Sequence, residues 1–257
     1  MLSSGDNVLV YTCADKAYED FAPIYIAAML EHSEDVICEV GVEDVDSFRS
    51  SYSLSLRMLE DKFGTDRFLI SEVPMFKDSC GIVPNTVRFL TKPSLRARYI
   101  YIGDIDIFCL DKDFYNQHLS FMSKTRLPYS NSVRPGTERL TGLHFSEYDS
   151  YYPIPDYSDL NVSWMNDEKV LFQLVKRRGL VIQDFEWFRP IHGIHVSPNR
   201  SPKPSINAAG KKVPGWGIEG YAEQYRLWSS TSFFSEFRQA LSERVKMSLS
   251  KIDAVVY

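Results

Sequence analysis

Asp104 and Asp106 stand one residue apart in the run Tyr99-Ile100-Tyr101-Ile102-Gly103-Asp104-Ile105-Asp106-Ile107-Phe108. Apart from one glycine, the remaining residues are apolar, β-branched or aromatic. A short run of that composition reads as a buried strand. Alternation along an extended backbone puts the two carboxylates on the same side. Two ionised carboxylates at the end of a core strand repel each other and lose hydration unless a cation or donors compensate. A divalent metal between them is the natural compensation, and Mg²⁺ or Mn²⁺ prefers such oxygen ligands. The plainer alternative is an acidic turn at a strand end, since Asp111 and Asp113 follow closely. The apolar residues on both sides favour the metal site.

Other chemistry-bearing residues lie further along. Ile191-His192-Gly193-Ile194-His195 is followed by Arg200, Lys203 and Pro204. A neutral imidazole completes a site begun by two carboxylates, and nearby cations suit a diphosphate. Only one of His192 and His195 need be a ligand; the other then fills space in a loop. Arg88, on a helix just before the Asp104 strand, is a further candidate to face phosphate.

The elements that must hold these groups follow from apolar runs and periodicity. Strands are expected at Val8–Cys13, Asp35–Val42, Arg67–Val73 and Tyr99–Ile102, with helices at Phe21–Glu31, Val45–Leu59 and Thr86–Arg96 between them. That alternation argues for an α/β fold with a largely parallel sheet. Ligands collect at the carboxyl ends of strands in such sheets. The Cys13–Tyr18 turn and Asp104/Asp106 both occupy such a position, so one crevice should receive them. Residues 130–157 read as a long structured loop, Asp167–Arg178 as an amphipathic helix and Ile182–Phe188 as a short strand. Pro190–Trp216 reads as a functional loop, and Tyr221–Ile252 as partly amphipathic helix.

Composition narrows the class of protein. A chain of 257 residues with 44% hydrophobic and 25% charged residues can bury one large core. Its net charge of −5 gives no support for nucleic-acid binding. Cys13, Cys38, Cys80 and Cys109 lack metal-type or redox-type spacing and read as reduced core residues. With no signal-like or membrane-spanning run, the expected location is cytoplasmic. Arg238, Arg244, Lys246 and Lys251 lie among apolar residues near the C-terminus. Such a helix is a candidate for peripheral contact with an anionic membrane, although packing on its own domain is the commoner role.

Taken in order, these residues resemble a known family. A strand leads into Asp-x-x-Tyr (Asp15, Tyr18), then come an Arg-bearing helix, Tyr-Ile-Gly-Asp-Ile-Asp, Asn-Asp-Glu opening a helix, and a His with a downstream Lys-Pro. The chain is similar to GT-A nucleotide-sugar glycosyltransferases, most of all the glycogenin and bacterial lipopolysaccharide galactosyltransferase family. The resemblance implies a Rossmann-like mixed sheet flanked by helices over residues 1–220, with a C-terminal helical extension over 221–257. It implies uridine contacts from Tyr11, Thr12, Cys13, Asp15 and Tyr18, and Mn²⁺ (or Mg²⁺) on Asp104, Asp106 and His195. His195 is preferred to His192 because its distance to Lys203-Pro204 fits the family pattern. Lys203 would then touch the diphosphate, with Arg88 nearby, and Asp167 would bind the sugar.

The chain departs from that pattern in Leu140-Thr141-Gly142, where Asn-Ala-Gly is usual, in Glu168, where Gln often stands, and in Ala17, where Asn is common. The activity implied is metal-dependent transfer of galactose or glucose from a UDP-sugar to a glycan or lipid-linked saccharide, with retention, in surface polysaccharide synthesis. An inverting reaction would instead need a base near the acceptor hydroxyl, for which Asp167, Glu168 and His144 are the candidates. A sugar nucleotidyltransferase is disfavoured because Tyr11–Tyr18 contains no glycine. An Asp-x-Asp phosphohydrolase would carry its pair after the first strand. A catalytically silent binding protein of the same fold is the remaining alternative.

Overall fold

The computed structural model describes residues 8–77, 81–182, 187–198, 200–207 and 210–257. Strands and helices alternate through its first hundred residues: β1 (Val8–Ala14), α1 (Ala22–His32), β2 (Val36–Val42), α2 (Val45–Ser51), α3 (Ser53–Phe63), β3 (Phe68–Glu72), α4 (Pro84–Leu90) and β4 (Tyr99–Ile102). The middle of the chain adds β5 (Ile107–Cys109), α5 (Phe114–Thr125), β6 (Tyr129–Ser130), β7 (His144–Glu147), α6 (Tyr148–Tyr151) and α7 (Asp167–Arg177). The last part contributes β8 (Gly193–His195), a hairpin of β9 (Ser205–Ile206) and β10 (Lys212–Val213), and helices α8 (Ala222–Ser229), α9 (Ser232–Gln239) and α10 (Glu243–Val256).

One mixed sheet organises the chain in the order β3-β2-β1-β4-β7-β6. β3, β2, β1 and β4 run parallel, β7 runs antiparallel to β4, and β6, antiparallel to β7, returns to the direction of the first four. Every residue of β1 and β2 is buried, because helices cover both faces. Strands so placed read as continuous apolar runs rather than as alternation. The pleat nevertheless sorts their side chains: Val8 and Val10 enter a layer with α1 and the C-terminal helices. Leu9, Tyr11 and Cys13 enter the opposite layer with α4 and α7.

Several expectations need correction. Asp104 and Asp106 do not lie on a strand, because β4 stops at Ile102 and residues 103–106 form a turn. The helix expected to run from 86 to 96 starts at Pro84 and ends at Leu90. Pro93 lacks a backbone N–H and its ring pushes the preceding residue out of the helical region. The single helix expected over 45–59 is divided at Tyr52, whose φ of −114° and ψ of 22° interrupt it. The supposed loop over 130–157 contains β7, which pairs with β4 inside the main sheet. The short strand expected at 182–188 falls mostly on 183–186, outside the described residues. Cys80 also lies outside them, while Cys13, Cys38 and Cys109 are buried free thiols.

Helices α8 to α10 pack Tyr225, Phe234, Phe237, Val245, Leu249 and Ile252 into the same layer as α1. Most of their basic residues are occupied there. Arg238 pairs with Asp253 at 2.6 Å, Arg244 with Asp20 at 3.4 Å and Lys246 with Glu243 at 3.0 Å. Among the described residues, no helix is long and apolar enough to cross a membrane.

Candidate metal centre and binding cleft

The turn after β4 is pinned from two sides. The Gly103 N–H donates to the Tyr11 carbonyl at 3.2 Å, and the Thr12 hydroxyl donates to the Gly103 carbonyl at 2.9 Å. Beyond the turn, β5 pairs antiparallel with β8, setting Ile107 opposite His195. The Val196 N–H donates to the Asp106 carbonyl at 2.8 Å, closing the junction. Chain segments about ninety residues apart are thereby held side by side. Gly193 permits this closeness, since a Cβ there would stand 1.8 Å from the Phe108 carbonyl oxygen.

Asp104, Asp106 and His195 each offer one ligand atom, and these atoms all lie within 4.8 Å of one another. His195 Nε2 lies 3.3 Å from Asp106 Oδ1, while the buried Nδ1 of the same ring has no hydrogen-bond partner among the described residues. Two carboxylates and an imidazole suit Mn²⁺ or Mg²⁺, the oxygen ligands suiting either and the nitrogen favouring the former. The donor set and the unsatisfied ring nitrogen therefore fit a divalent cation.

Arg88 is the other charge in the site. It is 3% exposed and forks between Asp104 Oδ1 at 2.5 Å and Asp167 Oδ2 at 3.4 Å, also donating to the Gly142 carbonyl at 3.2 Å. Burial alone would raise the Asp104 carboxyl, but Arg88 and His195 outweigh it and hold it below its ordinary range. Burial, together with the negative charges of Asp104 and Glu168, raises Asp167 despite Arg88.

Asp167 and Glu168 enter the cleft from the first turn of α7, whose start is fixed by Asn166 accepting from the Glu168 N–H at 3.1 Å. Glu168 is clamped by two arginines. Arg134 reaches both its oxygens at 2.5 Å, and Arg139 reaches Oε2 at 2.6 and 3.1 Å. Burial would raise Glu168, yet these cations hold it below the usual range. Its contribution to stability is thus present above the ordinary Glu range and is lost as pH falls through the lowered value.

The cleft, of about 200 Å³, is lined by Cys13, Asp15, Tyr18, Asn85, Arg88, Asp104, Asp106, Gly142, Asp167, Glu168, Arg189, His195 and Ser197, with four further residues. Asp15 presents a buried Oδ1 that has no partner among the described residues. Most of the expected site residues therefore meet in one place, and four do not. Tyr11 faces away, its hydroxyl 2.8 Å from the Thr91 hydroxyl. Thr12 is fully buried and serves the Gly103 turn. Lys203 is exposed and does not line the cleft; the cations that do, among the described residues, are Arg88 and Arg189. His144 is fully buried in β7, between the rings of Tyr129 and Tyr151, with Nδ1 3.2 Å from the Asn131 amide. Burial pushes its pKa down to about 3, so it stays neutral and out of reach of an acceptor. Arg189, Arg134 and Arg139 were not foreseen, because nothing local in Phe188-Arg189-Pro190 or Arg134-Pro-Gly-Thr-Glu-Arg139 signals a long-range partner.

His192 has a different role from His195. Its Nδ1 lies 2.9 Å from Asp111 Oδ2, its Nε2 lies 3.0 Å from His118 Nε2, and His118 Nδ1 lies 2.8 Å from the Ser130 hydroxyl. With Asp111 ionised and one proton on each ring, one arrangement satisfies the chain: His192 donates to Asp111, His118 donates to His192, and Ser130 donates to His118. His118 is held neutral by burial and by the neighbouring His192. His192→Ala is expected to cost about 1–3 kcal/mol by leaving buried polar groups unpaired, while keeping the thermal shift expected with Mn²⁺. His195→Ala should do the reverse. Melting curves with and without Mn²⁺ measure both, and the opposite ranking would move the ligand to His192.

No protein-family model matches the chain, and no curated protein matches it in sequence. Among solved structures, it is similar to an active-site mutant of LgtC, with a TM-score of 0.48 and 11% identity over 65% of this chain and 70% of that one. It is also similar to the galactosyltransferase LgtC in complex with donor and acceptor sugar analogues, with a TM-score of 0.43 and 12% identity over 68% and 72% of the two chains. A third similar structure is residues 1–349 of S. aureus TarS, with a TM-score of 0.42 and 11% identity over 95% and 72%. These are likenesses of fold; function is read from the side chains in the cleft.

Proposed function

We propose that the chain is a metal-dependent glycosyltransferase that moves a hexose, galactose or glucose, from a UDP-sugar to a glycan or lipid-linked saccharide. The observation that carries this reading is the meeting of Asp104, Asp106 and His195 in a cleft that also holds Asp15, Tyr18 and the two carboxylates opening α7. Such a cleft offers separate places for a base, a diphosphate and a sugar. Asp15 has free acceptor capacity suited to a nucleobase N–H, and the Tyr18 ring offers a face for stacking.

Asp104, Asp106 and His195 would hold the cation, which when bound neutralises charge on the departing diphosphate. Arg189 adds a protein cation to the same cleft. Arg88 keeps Asp104 ionised and anchors Asp167, so the metal ligand and the sugar-binding carboxylate are fixed relative to each other. Arg134 and Arg139 hold Glu168 ionised and still. Sugar hydroxyls then find acceptors on Asp167 and Glu168 whose positions are set before the donor arrives. Retention of configuration suits this arrangement. His144 is sealed in the core, Glu168 is committed to two arginines and Asp167 is paired with Arg88, which leaves none of the three free as the base that inversion requires. The physiological role that fits is surface polysaccharide synthesis on the cytoplasmic side.

A panel of UDP-sugars with Mn²⁺, assayed for slow hydrolysis without acceptor, tests the proposal. One UDP-hexose should be hydrolysed in preference to the others, and EDTA should stop the reaction. Cleavage that is indifferent to chelator, or the absence of cleavage with every donor, would count against it.

A further inference from the structure

A second cavity, of about 350 Å³, lies between residues 196–198 and 200–202 on one side and α10 on the other. It shares Ser197 and Pro198 with the main cleft, so the two have a wall in common. Its charge is of one sign. Arg200, Arg244 and Lys251 line it and no acidic side chain among the described residues does, although the chain as a whole carries a net charge of −5.

The three cations are not equivalent. Arg244 is spent within the fold, paired with Asp20, donating to the Ala17 carbonyl and lying 4.8 Å over the rings of Tyr18 and Phe21. The side chains of Arg200 and Lys251 have no hydrogen-bond or ion-pair partner among the described residues. Arg200 is nevertheless held at its backbone: its N–H donates to the Ser197 carbonyl at 3.2 Å, and its carbonyl accepts from the Trp216 indole at 3.0 Å. A fixed backbone carrying an uncompensated guanidinium, with an uncompensated ammonium lining the same groove, suits a phosphate oxyanion. The rest of the lining is largely apolar and includes Trp216 and Met247, the latter 59% exposed.

We propose that this groove binds a phosphate group carried by the acceptor, placing a phosphate-bearing saccharide beside the donor cleft. The inference rests on the glycosyltransferase reading for the word acceptor, while the anion site itself stands on the groove. The phosphate is either that of a glycan phosphodiester or that of a lipid-linked sugar, for which the apolar lining would receive the first part of the chain.

The test is calorimetric titration of glycerol 1-phosphate and of hexyl phosphate into protein whose main cleft is saturated with UDP and Mn²⁺. Both should bind, and Arg200→Ala and Lys251→Ala should each weaken them about tenfold, the scale of one charge-assisted hydrogen bond. UDP affinity should not change. Tighter binding of hexyl phosphate identifies the lipid-linked source, and equal binding the glycan source. Failure of either probe to bind the unaltered protein overturns the proposal. So does binding that both substitutions leave intact, or that Arg57→Ala on a remote surface weakens equally. If UDP itself does not bind, the glycosyltransferase reading fails instead, and the same titration without UDP still decides whether the groove is an anion site.

Discussion

Arg88→Met should destabilise the protein by about 3–5 kcal/mol, the cost of breaking a buried ion pair and leaving its partners unmatched. Arg88 is nearly inaccessible, and its guanidinium is the only described cation within ion-pairing distance of Asp104 or Asp167. Without it, two carboxylates face each other in a low-dielectric cleft, and at least one must take up a proton. Arg88→Lys keeps the charge but loses the fork, since an ammonium cannot reach both carboxylates and the Gly142 carbonyl with the same geometry. It should recover part of the stability and little of the donor hydrolysis. Chemical denaturation of the three proteins measures the first effect. A loss below about 1 kcal/mol in Arg88→Met would mean that the two carboxylates are compensated by something other than this arginine.

Asp104→Ala and Asp106→Ala should each remove UDP-sugar hydrolysis while leaving a folded protein. Each substitution deletes a ligand from a set whose atoms lie within 4.8 Å of one another, and each relieves repulsion between the pair. The loss expected is several kcal/mol of transition-state stabilisation, about a thousandfold or more in rate. The two variants should differ in stability. Asp106 is bound to the fold mainly through its backbone and His195, whereas loss of Asp104 leaves Arg88 with one carboxylate, Asp167 at 3.4 Å, and the Gly142 carbonyl. Asp104→Ala should therefore melt lower than Asp106→Ala. Full hydrolysis in either variant would remove that carboxylate from the metal centre.

The central strands were legible because burial on both faces writes itself into sequence as a near-continuous apolar run, broken only by single residues such as Thr12 and Glu39. Val8–Ala14, Val36–Val42 and Tyr99–Ile102 all fall within one or two residues of the ends expected for them. Asp104 and Asp106 were legible as a pair for the same reason, since carboxylates stand out against such a run. The way they converge was not. A turn, rather than strand alternation, aims them, and the pairing of β5 with β8 brings His195 across to meet them. Pairing between distant segments leaves no local periodicity to read.

The failures share that cause. His-Phe-Ser-Glu at 144–147 has few β-branched or aromatic residues and sits in a stretch rich in Pro, Gly and Tyr, so β7 passed for loop. With the strand missed, His144 looked free for chemistry when it is sealed between two tyrosine rings. Arg134 and Arg139 find Glu168 across about thirty residues, and Arg189 enters the cleft from a segment with no motif. Lys203 follows from the family's His…Lys-Pro pattern, but that pattern does not encode on which side of the loop the side chain emerges.

Calorimetric titration of UDP into the intact protein, once with Mn²⁺ and once with EDTA, tests the central claim most directly. It needs no acceptor and no choice of sugar. A nucleotide bound through a shared cation must gain affinity when that cation is supplied, and the gain must vanish in Asp106→Ala. The account predicts saturable one-to-one binding with Mn²⁺ that is lost in chelator. Equal UDP affinity in the two conditions, or no binding in either, would contradict it.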